Sequence, residues 1–235
     1  MLPLHVQDLC FEASGRRLLD GMCFQTTAQT RTIVLGPNGA GKSLLLRLCH
    51  GLLTPSAGTI AWGQVEMATA RRYQAMVFQR PVLLRRSVAA NLRYVLSLRG
   101  VPRRQRQALA LEALEHAGLV AQAGQAARLL SGGEQQRLAL VRAWVLKPQV
   151  VLLDEPTASL DPAATRGVET LLARLHASGT KIIMATHDLG QARRLADEVL
   201  FVHHGRLIEQ TPAARFFTAP QSQEAAAFLE GKLLC

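Results

Sequence analysis

The eight residues Gly36-Pro37-Asn38-Gly39-Ala40-Gly41-Lys42-Ser43 carry the strongest chemical signal in the chain. They fit G-x-x-x-x-G-K-[ST], lying between a short apolar run, "TIVL" at 32–35, and a stretch of helical length, "SLLLRLCHGLL". Glycines allow a backbone to wrap closely around phosphate with its N–H groups pointing inward, and a helix start adds partial positive charge. In that setting Lys42 reaches β- and γ-phosphates, and the Ser43 hydroxyl ligates Mg²⁺. The expected chemistry is nucleoside triphosphate binding.

Two carboxylates belong beside it. "QVVLLDEP" reads as a buried strand ending in Asp154 and Glu155, and ligands of parallel sheets collect at such ends. One acid there can hold Mg²⁺, and the other can take a proton from attacking water. Asp154 is assigned to the metal and Glu155 to the base. His187 closes a similar run, "KIIMATHD", placing it within reach of a γ-phosphate. Taken alone, an acidic pair opening a loop or a single histidine is unremarkable; their order behind the glycine-rich loop gives them meaning. A second helix start, Ser131-Gly132-Gly133-Glu134, also has the look of a phosphate grip, which raises the question of why one chain carries two.

The elements that must position these groups are legible in outline. The apolar runs at 32–35, 150–154 and 181–186 read as buried strands, and "VLFVHHGRLIEQ" reads as a hairpin turning at His203 to Gly205. From Ser87 to Trp144 the chain is rich in alanine, leucine and arginine with helical periodicity and a single proline, Pro102. This stretch is expected to be a helical subdomain inserted into a strand-and-helix core. The segment "FFTAPQSQEAAAFLEGKLL" suggests a loop and a helix whose apolar residues pack on the chain's own core.

Composition narrows the function classes. With 235 residues and 49% apolar content, the chain can bury a sizeable core. Cys10, Cys23, Cys49 and Cys235 form no C-x-x-C pair, which argues against a zinc knuckle or disulfide framework and suits a reducing compartment. The N-terminal residues lack a basic region followed by an apolar stretch, so no signal peptide is expected, and no segment approaches the roughly 20 apolar residues of a membrane span. The net charge of +10 is concentrated. Between Glu66 and Glu112 there is no acidic residue but ten arginines: Arg71, Arg72, Arg80, Arg85, Arg86, Arg93, Arg99, Arg103, Arg104 and Arg106. Such a patch suits nucleic acid, an anionic membrane face or plain solvation. Tyr73, Phe78 and Tyr94 are the only aromatics among them, too few to suggest base stacking.

With "LSGGEQQR" at 130–137 set between these pieces, the chain resembles the ATP-binding cassette family along almost its whole length. The motif order matches: the loop at Gly36 to Ser43, "VFQRP" with Gln79, Leu130 to Arg137, Asp154-Glu155, "ASLD" ending at Asp161, and "THD" around His187. The resemblance implies an α/β P-loop NTPase (RecA-like) core with an antiparallel β subdomain and an inserted α-helical subdomain. One nucleotide-binding domain is expected over 1–235, with 1–86 and 145–235 as core and 87–144 as the helical part. It implies ATP and Mg²⁺ as ligands. Gln79 would sense γ-phosphate and Mg²⁺ while its loop touches a membrane partner. Ser131, Gly132 and Gly133 would bind the γ-phosphate of ATP held by a second copy, and Asp161 would lie in the loop joining the two active sites. Asp161-Pro162 also reads as a helix N-cap followed by a first-turn proline. One departure is visible: Ala13 stands near the place where the family stacks adenine on an aromatic, and Phe11 lies two residues earlier.

A chain of this type is expected to serve as the separate ATPase subunit of a bacterial importer, peripheral on the cytoplasmic face of the inner membrane. It would pair head to tail with a copy of itself, act on permease subunits, and connect only indirectly to a solute-binding protein, with no nucleic acid. "FQRPVLLRRSVAANLRYVLSLRG" and "FFTAPQSQEAAAFLEG" look most like ATPases of tungstate- and molybdate-type importers, with phosphate importers close behind. An exporter subunit and a DNA-associated cassette ATPase are the alternatives. The latter usually carries coiled-coil insertions, zinc modules or paired cassettes, none of which is visible here.

Overall fold

In the computed structural model the described residues are 1–232; Cys235 lies outside them. In chain order the strands are β1 (Leu4–Ala13), β2 (Arg16–Thr26), β3 (Thr32–Leu35), β4 (Ala57–Trp62), β5 (Gln74–Val77), β6 (Val150–Asp154), β7 (Lys181–Thr186), β8 (Glu198–His203) and β9 (Arg206–Pro212). The helices are α1 (Lys42–His50), α2 (Met67–Ala70), α3 (Val88–Leu98), α4 (Arg103–Ala117), α5 (Gly132–Trp144), α6 (Pro162–Ala177), α7 (Leu189–Leu195), α8 (Ala213–Phe216) and α9 (Gln223–Leu229). They form two compact units.

The first unit comprises Met1–Gln74, Leu152–Glu155 and the chain from Lys181 onward. Its centre is a sheet in the order β6-β7-β3-β8-β9. Every residue of β3 and of β7 is buried, as the continuous apolar runs require of strands covered on both faces. β3 pairs in parallel with β7 (Thr32↔Ile183) and with β8 (Thr32↔Glu198), while β8 and β9 form the expected hairpin. His204 and Gly205, both at positive φ, make its turn. A separate antiparallel sheet has the order β2-β1-β4. The last helices close over the sheet: Phe216 and Phe228 bring their rings 5.8 and 5.3 Å from that of Phe201. Phe216 and Ala225 of that stretch are buried and Phe217, Phe228 and Leu229 half-buried, while its Leu233 and Leu234 lie outside the described residues.

The second unit comprises Ala75–Val151 and Pro156–Thr180. The segment expected to be helical, 87–144, falls within it and contains α3, α4 and α5, joined by α6 from further along the chain. In α3, Val88, Leu92 and Leu96 recur at helical spacing and are at most 2% exposed. Ser87 caps that helix, its Oγ accepting from the Ala90 amide. At the other end of α4, Gly118 takes the left-handed conformation at φ 63°. Parallel and antiparallel sheets with a helical insertion give an α/β P-loop NTPase (RecA-like) fold, with an antiparallel β subdomain and an inserted α-helical subdomain. Among the described residues no helix is long and apolar enough to cross a membrane.

Candidate functional site

The loop from Gly36 to Gly41 leaves the buried end of β3 and delivers Lys42 and Ser43 into the first turn of α1. Gly36 cannot be replaced there: a Cβ would stand 2.1 Å from the Val202 carbonyl oxygen of β8. The loop is clasped from outside, since the Gly205 amide donates to Ala40 O at 3.1 Å and the Asp20 amide donates to Gly205 O at 2.8 Å. The β8–β9 turn and strand β2 therefore hold the loop's shape. Pro37, Asn38 and Gly39 form its crest, with Asn38 and Gly39 exposed.

Lys42 is nearly enclosed. Its Nζ donates to Gly36 O at 2.8 Å and Pro37 O at 2.9 Å, and lies 3.5 Å from Glu155 Oε1. Burial pulls its ammonium below the usual lysine value, with Glu155 opposing. Ser43 Oγ donates to Asp154 Oδ1 at 2.6 Å. These are two hard oxygen donors side by side, the donor chemistry that suits Mg²⁺.

Asp154 ends β6, and Glu155 follows it with φ 46°, a left-handed conformation uncommon for a residue with a side chain. The turn is fixed by the Glu155 amide, which donates to Ala185 O at 3.0 Å. It aims the Glu155 carboxylate between Lys42 and His187, whose Nδ1 is 3.1 Å from Oε1. A carboxylate only accepts, so Nδ1 carries the hydrogen and Nε2 is left for another partner. His187 itself is exposed at the end of β7, and next to it Asp188 caps α7 by accepting from the Gln191 amide. The structure thus brings together Gly36 to Ser43, Asp154, Glu155 and His187, all within the first unit.

Ser131, Gly132, Gly133 and Asp161 form a second grouping, on the second unit, and line one shallow cavity of about 340 Å³. Ser131 and Glu134 form a capping box: the Ser131 amide donates to Glu134 Oε2 at 2.8 Å, and the Glu134 amide to Ser131 Oγ at 3.4 Å. The first of these bonds depresses the Glu134 pKa. Asp161 caps α6 as read, accepting from the Ala163 and Ala164 amides at 2.8 and 2.9 Å, and the Ala164 bond leads in depressing its pKa. Arg137 and Ser159 share the cavity; they lie inside "LSGGEQQR" and "ASLD", without a role of their own having been read from the sequence. Gln79 stands apart from both groupings in the chain, exposed just after β5 in the second unit. Phe11 is half-buried in β1, opposite Leu19 of β2, and Ala13 is exposed. The residues missed altogether are the clasp, Asp20 and Gly205. The hairpin turn was legible, but its closeness to a loop some 165 residues earlier had no local signal.

Comparison with known proteins follows the same lines. The family model described as ABC transporter matches residues 19–158. The chain is 38% identical to a phosphate import ATP-binding protein, PstB 2 of Natronomonas pharaonis, over 94% of this chain and 84% of that one. It is 36% identical to the tungstate uptake system ATP-binding protein TupC of Peptoclostridium acidaminophilum, over 88% of this chain and 98% of that one. Further relatives carry names for methionine import and for L-cystine and glutamate transport. Among solved structures, one described as the ATP-binding subunit of an ABC transporter superposes with a TM-score of 0.84 at 25% identity, covering 97% of this chain and 100% of that one. Fold, motif geometry and a family model spanning more than half the sequence agree: the chain belongs to the ABC transporter family.

Proposed function

We propose that this ATPase, coupled to transport, is the ATP-hydrolysing subunit of an importer for an oxyanion, tungstate or molybdate. The observation that carries the catalytic part is the convergence of Ser43–Asp154 and Lys42–Glu155–His187 at the ends of β3, β6 and β7. Lys42 and the loop amides would hold the β- and γ-phosphates, with Ser43 and Asp154 holding Mg²⁺. Bound there, Mg²⁺ neutralises charge on the phosphate oxygens. Glu155 would take the proton of the attacking water, and His187, whose Nδ1 is 3.1 Å from Oε1, would fix the carboxylate's direction and leave Nε2 for the γ-phosphate. Gln79 would sense the γ-phosphate and Mg²⁺, a role resting on motif order.

Two copies would pair head to tail, with each ATP between the loop of one and the Ser131-Gly132-Gly133 turn of the other, because a two-fold interface uses both surfaces twice. Asp161, in the same cavity as that turn, would join the two sites. Closure on ATP and release after hydrolysis would move a separate permease, placing the chain peripherally at the cytoplasmic membrane face. The arginine-rich stretch would lie toward permease and membrane; of its ten arginines all but Arg106 are exposed. The solute-binding protein would be reached only through the permease. The oxyanion assignment draws support from the relatives named for tungstate and phosphate, and a phosphate importer is the second reading.

Glu155→Gln tests the mechanism: ATP binding persists while turnover falls by about 100-fold or more. Near-normal turnover would assign the base elsewhere. For the solute, titrating the associated solute-binding protein with tungstate, molybdate and phosphate decides between the two readings.

A further inference from the structure

A cavity of about 400 Å³ on the second unit is lined by Arg85, Arg86 and Arg128 together with Ser87, Gly124 and Ala126. No carboxylate is among its lining residues. The sequence places two of these arginines just before α3 and the third in the short turn of 3₁₀ helix before α5. Backbone pairing brings them together: Ser87 and Ala126 form an antiparallel bridge, the Val88 amide donates to Gln125 O at 2.9 Å, and the Ala127 amide donates to Arg86 O at 3.0 Å. The loop carrying Arg85 is pinned from beneath by Asn91, a fully buried amide. Its Oδ1 accepts from the Leu84 amide at 2.9 Å, and its Nδ2 donates to Ser87 O at 3.0 Å. The Arg86 guanidinium lies over the Tyr94 ring, 5.2 Å from its centroid. The backbone frame therefore sets three like charges, all on exposed side chains, around one concavity, an arrangement that an anion would relieve.

The positive field comes from side chains. The first amides of α3 are already used, by Gln125 O, Ala123 O and Ser87 Oγ. A guanidinium fork offers paired N–H donors to the oxygens of a tetrahedral phosphate, where a lysine would offer only a point charge. The volume exceeds that of a single water, roughly 30 Å³, by enough to admit phosphate with part of an ester.

We infer that the cavity of Arg85, Arg86 and Arg128 binds a phosphate-bearing anion, a phosphomonoester or phosphodiester group, separately from the nucleotide loop. The inference goes beyond the transport reading and holds whichever solute the system carries, since it rests on the second unit alone.

The test compares the purified chain with Arg85→Gln/Arg86→Gln/Arg128→Gln, and with Arg93→Gln/Arg103→Gln/Arg104→Gln, which removes equal charge outside the cavity. One arm titrates glycerol 1-phosphate and inorganic phosphate at physiological salt. The other sediments the proteins with phosphatidylcholine vesicles, with and without phosphatidylglycerol. The expected result is a loss of about tenfold or more in one arm for the cavity variant, with the control variant within about threefold of the parent. Cavity-dependent capture by phosphatidylglycerol identifies a lipid headgroup as the source, and cavity-dependent titration without capture identifies a soluble phosphate. Equal losses in the two variants would mean diffuse charge and overturn the site. Absence of binding in both arms overturns it too. Arg128→Gln alone serves if urea unfolding shows the triple variant to be poorly folded.

Discussion

Glu155 occupies a left-handed backbone conformation that costs on the order of 1–3 kcal/mol for a residue with a side chain. The surrounding structure holds it there through the Ala185 carbonyl, and the result is a carboxylate fixed between a lysine and a histidine. The residue types were legible in "LLDEP", because a strand end followed by two acids is a local pattern. The strained turn was not, since it depends on β7. If His187 orients this carboxylate, His187→Ala lowers kcat by about 10- to 100-fold, with ATP affinity kept, as read by steady-state turnover and nucleotide titration. A second residue escaped notice. Lys181 opens an apolar run yet is fully buried, its Nζ donating to Thr30 O, Thr30 Oγ1 and Thr32 Oγ1. Burial brings its pKa down to about 8 from the ordinary 10.5. The folded chain then releases this proton before the unfolded chain does, so stability rises with pH between those two values. Urea midpoints followed from about pH 7.5 to about pH 9.5 are expected to climb in the parent relative to Lys181→Met, which lacks the titrating group.

Helix starts are the elements that carry function here, and two of them were legible, Ser131-Gly132-Gly133-Glu134 as a helix start and Asp161-Pro162 as an N-cap with a first-turn proline. Ser131 with Glu134 three residues later, and Asp161 followed by Pro162, each hold their capping chemistry within a few residues. The pairing of α5 with α6 is another matter. A Cβ at Gly133 would stand 2.6 Å from Ala164 Cβ, whereas one at Gly132 would meet only Leu160 at 3.6 Å. Gly133→Ala is therefore expected to destabilise the chain by about 1–3 kcal/mol through overpacking, and Gly132→Ala by well under that, in urea unfolding of the isolated protein. In sequence the two glycines are indistinguishable. Only the helix arriving from 162–177 separates a glycine required by close approach from one that is not.

At the scale of the whole molecule the chain passes between its units at 74–75, 151–152, 155–156 and 180–181. Such discontinuous units leave no compositional boundary: the sequence offers the alanine-, leucine- and arginine-rich stretch at 87–144, and nothing in it ties α6 to that stretch. The same division bears on assembly. The phosphate loop belongs to one unit and the Ser131 turn to the other, which fits the proposed pairing of two copies around ATP. Ser131→Arg is expected to spare ATP binding by the monomer and to abolish ATP-driven dimerisation and turnover, measured by sedimentation and phosphate release. Ser131→Ala separates the lost cap from the blocked surface: it keeps some dimerisation if obstruction is what matters.

Contiguous residues were enough to point to the glycine-rich loop, the buried strands that frame it, the Asp161 cap and the family. Each of these rests on contiguous residues whose backbone preferences and apolar periods act over short range. The tertiary structure alone decided that Ser43 meets Asp154, that Glu155 lies between Lys42 and His187, and that the β8–β9 turn clasps the loop. It also decided which three arginines of a long basic stretch and its neighbourhood share a cavity. Those meetings follow from the order in which buried strands and packed helices sit side by side, and that order is set by burying apolar faces over the whole chain.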